Sequence, residues 1–456
     1  MPRTHEIDML HGPLTGKIVK FAMPFAASSI LQQLFNTVDV AVVGRFASSE
    51  ALAAVGANTF LINLMINFFV GISVGASVII AKHIGQRDTR RIREAVATTA
   101  ALALFSGAFL LVVGMAAARP VLGWMGTPHN VIEEAILYLR IYFMGAPFFM
   151  VYNFGASILR SRGDTKRPLY ILIVAGIINT ILNLVLVIYA RLGVAGVAIA
   201  TDMANLFCAV VIVRLLRHEP MPFRLRLRHL RFYGPELRQI LRIGLPAGLQ
   251  SMVFALSNIF VQTAINGYGS AAIAGASVAQ TLESYCYFLM SAFSGASVTF
   301  IGQNYGAGRM DRCKRIFWIC LSGGMLTCIV ANVLFMVFAG EILSLFTVDD
   351  SVVAFARLRM EYVLVFQAIA ATYDVPSASM RGMGHSVEPA LLTIFGTCVL
   401  RWVWVFFVCP VFPGYAQLLM IYPITWAVTG VMVGSMFYVT VRRLDRESAM
   451  RPGAAG

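Results

Sequence analysis

Charge is scarce in this chain. Asp, Glu, Lys and Arg together make up 13% of its 456 residues, about half the share of a soluble globular protein, roughly 25%. A soluble enzyme and a disordered chain are both excluded on that ground. There is no CxxC pair and no Cys/His cluster among the 7 cysteines and 7 histidines, so neither a zinc site nor a disulfide framework is predicted. The cysteines lie mostly within apolar segments and read as small buried hydrophobes. No GxxxxGK[ST] occurs; Gly12, Gly16 and Lys17 have the wrong spacing, and ATP is not expected as the direct energy source. HExxH is missing too. No catalytic residue, metal ligand or cofactor is expected. Residues 1–12 lack an apolar run, so no separate signal peptide is predicted.

Apolar residues are abundant instead. The chain is 58% hydrophobic with a mean hydropathy of +0.76, more than one soluble domain can hide. A spanning helix needs about 20 apolar residues. Gly, Pro and charge clusters cut the chain into segments of that size. We predict an all-α membrane protein with twelve spans: 17–43, 52–81, 92–118, 131–158, 168–190, 194–216, 238–266, 271–301, 314–339, 352–379, 387–409 and 414–441.

The net charge of +14 raises nucleic acid as a partner, but its distribution argues against one. With the N-terminus in the cytoplasm, 29 of the 36 Lys and Arg fall on the cytoplasmic side, Arg3 and Arg451 among them. Six fall opposite: Arg45, Arg119, Arg140, Arg191, Arg357 and Arg359. Arg401 alone is assigned to neither side and is counted as intramembrane. This bias is the positive-inside rule, and it places both termini in the cytoplasm. The Arg-rich stretch 217–242 then reads as a cytoplasmic linker that touches anionic lipid at most.

The two halves repeat. Ile18, Pro24, Ser29, Leu34 and Asn36 recur in the second half, at one fixed offset, as Ile240, Pro246, Ser251, Leu256 and Asn258. Gly85, Tyr152, Arg160, Gly163 and Pro168 recur as Gly306, Tyr373, Arg381, Gly384 and Pro389, at the same offset less a single position. An offset this constant marks a duplication. Each half holds six spans, so both enter the membrane from the same side and form a parallel repeat, as in secondary transporters. The expected organisation is a first lobe over 1–216, a basic linker over 217–237 and a second lobe over 238–456.

Charge inside a bilayer costs at least about 2.5–3.5 kcal/mol and invites a functional reading. Asp39, Asp202, Glu283, Glu361 and Asp374 fall inside spans, with Arg401 as the clear cation. Glu361 reads as paired with Arg357 or Arg359 near the end of its span. An excess of carboxylates suits protons, sodium or organic cations. The scaffold repeats but these groups do not: the counterparts are Val261 for Asp39, Pro423 for Asp202, Asn153 for Asp374 and Thr180 for Arg401. Asp39 is the leading ion-coupling candidate, with Asn183 and Asp202. Gln32 and Asn36 lie within two turns of Asp39 on roughly its face, and Asn179 and Asn205 offer further polar groups. With Glu283, Asp374 and Arg401 these are the candidate substrate contacts. Each also has a bland reading: Asn and Gln as interhelical glue, and Glu283, Asp374 and Arg401 as structural ion pairs.

Several motifs then resemble the multidrug and toxic compound extrusion (MATE) family over nearly the whole chain. The first span reads Pro24, Gln32, Asn36-Thr-Val-Asp39 and Gly44. The eighth ends in Thr299-Phe-Ile-Gly302-Gln-Asn-Tyr-Gly-Ala-Gly308. The fourth and tenth end in Leu159-Arg160-Ser-Arg-Gly163-Asp-Thr-Lys-Arg-Pro168 and Met380-Arg381-Gly382-Met-Gly384, and the sixth opens with Gly193-Val-Ala-Gly196-Val-Ala-Ile-Ala-Thr201. The pattern looks closest to the DinF-like bacterial branch. The resemblance implies a twelve-helix, two-lobed exporter of the bacterial inner (plasma) membrane. It implies exchange of a proton, or sodium, for cationic amphipathic compounds by alternating access, with Asp39 on the family's ion-coupling position. Two positions depart from the pattern. Asn183 stands where many DinF-like members carry an acid, and Phe254 where NorM-like members carry a glutamate; a proton is therefore expected over sodium. The competing expectation is a flippase for lipid-linked precursors, which needs a basic groove. Membrane lipids are the expected surroundings, and a monomer the default for one chain holding both lobes.

Overall fold

The computed structural model describes residues 6–46, 49–125, 127, 131–347 and 349–449; Arg3 and Arg451 lie outside them. Among these residues all regular structure is helical. Ten helices among the described residues are long and apolar enough to cross a membrane. In the first half these include α1 (Thr15–Phe46), α2 (Ser49–Gly85) and α3 (Thr89–Trp124). An eleventh span is the pair α4 (Ile132–Met144) and α5 (Ala146–Ser161), bent by 43°. Then come α6 (Lys166–Asn183), continued by a π-helical turn at Leu184–Tyr189, and α7 (Gly193–Arg217).

The second half repeats the order. It holds α8 (Gly234–Asn266), α9 (Ser270–Gly306), α10 (Met310–Val337) and the short α11 (Ala339–Ser344). The predicted span 352–379 is present but interrupted. It consists of α12 (Asp350–Arg359), a π turn, a 3-10 turn at Gln367–Ala370 and α13 (Ala371–Gly382). α14 (Val387–Thr393), α15 (Leu400–Val403) and two π turns make the next span, and α16 (Tyr415–Leu419) with α17 (Ile421–Ala449) the last.

The two interruptions are repeat partners with local causes. At the first, Pro147 follows Gly145 closely, and its ring and missing N–H bar a regular helix through the preceding turn. At the second, in the matching stretch of the other half, the Leu364 carbonyl bonds outside its own helix, accepting from Asn332 Nδ2 at 2.6 Å. A side chain that enters the helical ladder in this way breaks it.

By its contacts the chain forms two compact units, Met1–Asp8 with Ala27–Gly248, and Met9–Ala26 with Leu249–Gly456. The boundary falls just after Pro24 in α1 and just after Pro246 in α8. Within unit 1, Gly71 and Gly75 of α2 meet Gly244 and Gly248 of α8. A Cβ on Gly71 would stand 2.4 Å from the Gly248 Cα, and one on Gly75 would stand 2.4 Å from the Ile240 carbonyl oxygen. Small residues four apart on both helices allow this backbone contact. Within unit 2, the Phe25 ring covers Gly295 and Phe21 meets Phe300 edge-on at 5.6 Å.

The sequence motifs have structural work in these units. Gly163 and its repeat mate Gly384 have φ of +89° and +92°, the left-handed region that favours glycine after a helix C-terminus. Asn304, in the Gly302–Gly308 motif, is buried; its Nδ2 donates to the Met9 carbonyl at 3.0 Å and to the Phe300 carbonyl at 2.8 Å, while its Oδ1 accepts from Arg312 Nε. That holds Met9, just before α1, within unit 2. In unit 1, Glu219 is buried and accepts from Arg162 Nη1 at 2.6 Å and from Arg167 Nη1, while Arg162 also reaches Glu6. All seven cysteines are free thiols.

Candidate functional site

Unit 1 gathers the leading polar residues. α6 lacks a side chain at Gly176, where a Cβ would stand 1.9 Å from the Phe35 ring. The ring therefore lies directly on α6. Asp39 follows Phe35 by one turn of α1, and Asn179 and Asn183 follow Gly176 by one and two turns of α6. The Phe35–Gly176 contact thus sets the carboxylate against the two amides.

Asp39 is 6% exposed, Asn179 2% and Asn183 0%. Asn183 Nδ2 donates to Asp39 Oδ1 and, at 3.2 Å, to Asn179 Oδ1. The Thr201 hydroxyl of α7 donates to Asp39 Oδ2 at 2.9 Å and accepts from Asn179 Nδ2 at 3.3 Å. Among the described residues every donor to the carboxylate is neutral, and no ion pair to Asp39 exists. Asn183 Oδ1 is buried with no partner among the described residues.

Asp202, the next residue of α7, turns to the break between α4 and α5. Its Oδ1 lies 1.8 Å from where a Gly145 Cβ would be, and that oxygen makes no hydrogen bond among the described residues. Tyr138 and Tyr142 of α4 lie in electrostatic range of both carboxylates. Unit 1 also holds a pocket of about 480 Å³ lined by Phe46, Glu134, Val187 and Arg191 among others.

The remaining candidates are placed otherwise. Gln32 and Asn205 are half-buried and Asn36 is exposed, and no hydrogen bond joins them to the Asp39 cluster among the described residues. Glu283, Asp374 and Arg401 belong to unit 2. Glu283 accepts from Arg359 Nε at 2.7 Å and Nη2 at 2.9 Å. Arg359 is therefore a second cation inside the fold, 2% exposed, although the charge count assigns it to the side opposite the cytoplasm. Glu361 pairs with Arg357 at 3.6 Å. Arg401, 1% exposed, donates from Nη1 to Asn258 Oδ1 at 2.9 Å. Asp374 accepts from Ser294 Oγ at 2.6 Å.

Thr201, Gly145, Phe35, Gly176 and Arg359 were not singled out from sequence as parts of a polar site. The repeat held a signal for some of them. Thr201 corresponds to Tyr422 and Tyr138 to Arg359, both at the offset that relates Gly163 to Gly384. The duplicated scaffold therefore presents different chemistry at the same places.

The arrangement can take up a monovalent cation. Asp39 supplies a formal negative charge, and Asn179, Asn183 and Thr201, which here donate N–H or O–H to it or to one another, each also carry an oxygen. A proton needs only the carboxylate; a metal ion needs the surrounding oxygens turned toward it.

The fold and this buried acid define a polytopic membrane transporter built from a duplicated six-span unit. Residues 24–185 and 246–407 each match the MatE family, two stretches of equal length that reproduce the internal repeat. The chain belongs to the MatE family and is a transporter, not an enzyme. It is 32% identical to "Probable multidrug resistance protein YoeA" of Bacillus subtilis over 385 residues, covering 82% of each chain. It is 26% identical to "Probable multidrug resistance protein YpnP" of the same organism, covering 87% of this chain and 88% of that one. Among solved structures it resembles the outward-facing conformation of a MATE family multidrug resistance transporter. The TM-score is 0.90 at 22% identity, with 98% of this chain and all of that one covered.

Proposed function

We propose that the protein is a secondary exporter of a bacterial plasma membrane, with both termini in the cytoplasm. It exchanges protons, or sodium ions, for cationic amphipathic compounds by alternating access. The observation that carries this reading is Asp39, a buried carboxylate whose hydrogen-bond partners among the described residues are all neutral. In the outward-open state Asp39 takes up the ion. Neutralising it weakens the hold on a bound cation and lowers the cost of burying the site. In the inward-open state the ion leaves and the carboxylate recovers its affinity for the next cation. Coupling requires only that ion and cargo favour different states or compete for one group.

The relatives named as probable multidrug resistance proteins support drugs as the cargo. The test is efflux of ethidium from proteoliposomes under a pH gradient or a sodium gradient imposed separately. Transport on the pH gradient alone supports proton exchange at Asp39, and transport on sodium alone assigns the same site to sodium. Folded protein that moves ethidium under neither gradient overturns the reading. Asp39→Asn, nearly isosteric and permanently neutral, is expected to lose gradient-driven exchange while folding; full-rate export by that variant removes Asp39 from the mechanism.

A further inference from the structure

Unit 2 buries more positive charge than it neutralises around two arginines. Glu283 takes two of the donors of Arg359. Arg401 has no acid partner among the described residues; its bond is Nη1 to the neutral Asn258. Its Nε and Nη2 are buried without a partner among the described residues, and so is Nη1 of Arg359. The two guanidinium carbons lie 5.3 and 4.7 Å from the centre of the Tyr422 ring, so a single aromatic ring serves both cations. Arg401 also lies 5.3 Å from the centre of Phe254, and Trp426, whose indole N–H has no partner among the described residues, is 5.7 Å from Tyr422 between ring centres.

A guanidinium keeps its charge and offers five donors in a rigid fork. Buried donors are almost always satisfied, by protein, water or a bound group. Here three guanidinium nitrogens and an indole N–H lie buried among aromatic rings with no partner among the described residues, beside one uncompensated positive charge. A neutral ligand supplies acceptors but leaves that charge. A cation adds to it. An oxyanion on an aromatic or apolar body answers both needs, since the fork fits a carboxylate or phosphate and the rings fit the body.

We infer that Arg401, with Arg359, Tyr422 and Phe254, forms a binding site for an anionic group, a carboxylate or phosphate ester carried by an aromatic or apolar molecule. The site takes the place that carries Thr180, Thr201 and Tyr138 in the first repeat, so one scaffold position carries neutral hydroxyls in unit 1 and two guanidinium groups in unit 2. It stands apart from the ion-coupling reading, because occupancy is measured at equilibrium without any gradient.

The experiment uses the full chain in phosphatidylcholine nanodiscs, titrated with 1-naphthyl phosphate and, separately, with 2-naphthylmethylammonium, read by quenching of tryptophan emission. Saturable binding of the phosphate is expected, weakened about tenfold or more in Arg401→Gln, as for loss of a bidentate charged contact. The ammonium probe is expected to show no such loss. Asn258→Asp provides a second variant that keeps Arg401 in place. It sets an isosteric carboxylate on Nη1 and is expected to weaken naphthyl phosphate comparably while the protein stays folded. Nanodiscs containing phosphatidylglycerol separate the sources. Competition by this lipid in the wild type but not in Arg401→Gln assigns the site to lipid headgroups, and no competition assigns it to a soluble anion. Absence of saturable phosphate binding in the phosphatidylcholine discs overturns the inference, as does equal affinity in wild type and Asn258→Asp.

Discussion

Thr201 donates its hydroxyl to Asp39 Oδ2 at 2.9 Å. This contact joins α7 to α1 and leaves the carboxylate held by hydroxyl and amide, with no cation among the described residues. A buried acid so held keeps its chemistry available, whereas a buried ion pair would spend it on its partner.

Replacing Thr201 by Val keeps the shape and removes that donor. A hydrogen bond to a charged group contributes about 1.5–3 kcal/mol. Thr201→Val is expected to lower the thermal midpoint of the purified protein and to slow ethidium exchange severalfold. Unchanged midpoint and rate would show that the hydroxyl does not hold Asp39.

The Phe35–Gly176 contact predicts a rescue. A methyl group on Gly176 collides with the Phe35 ring, and overpacking of this kind costs about 1–3 kcal/mol. Gly176→Ala should therefore be destabilised, and the added change Phe35→Leu should recover part of the loss. The check is a double-mutant cycle of thermal midpoints, where simple additivity would speak against direct contact.

Glu283 and Arg359 predict a second non-additive pair. Removing one partner of a buried ion pair costs about 3–5 kcal/mol, because the other charge remains buried. Arg359→Met should be severely destabilised, and Glu283→Met with Arg359→Met should be closer to the wild type than either single change. Chemical denaturation in detergent reads the difference.

Glu219 sets a pH dependence outside the spans. Burial pushes its carboxyl up, but hydrogen bonds from Arg162 and Arg167 outweigh that and hold it below the usual carboxylate range. A lowered folded value means that its stabilisation is complete above the ordinary glutamate value, about 4.3. It is lost as pH falls through the lower, folded value. Acidification from neutral pH to about pH 3 should therefore cost the wild type more thermal stability than Glu219→Gln. Equal losses would remove Glu219 from the account.

The architecture was largely readable from sequence, because hydropathy, the Pro24/Pro246 repeat and the charge bias are one-dimensional signals. Each predicted span corresponds to a helix or a broken helix. Asp39, Asn179 and Asn183 were readable because polar residues stand out in apolar runs and a four-residue spacing fixes a face. Thr201 was not, since a hydroxyl in a spanning helix is common and only tertiary packing aims it. Arg359 was counted on the side opposite the cytoplasm and offered as a partner for Glu361, but it faces inward to Glu283, and helix rotation relative to neighbours is not written in composition. Gln32, Asn36 and Asn205 share a turn or a face with the site residues and still make no bond to them among the described residues, so spacing alone overstates a cluster.

The repeated scaffold has a consequence for mutational tolerance. Gly163 and Gly384 carry the same backbone conformation, and the two span breaks recur in matching places, so the chain states one folding instruction twice. In a complete substitution map, intolerance at such positions should echo at a lag equal to the spacing of Gly163 and Gly384. Intolerance at Asp39, Asp202, Arg359 and Arg401 should have no echo. The autocorrelation of that map separates what the duplication preserved from what each copy has since learned to do.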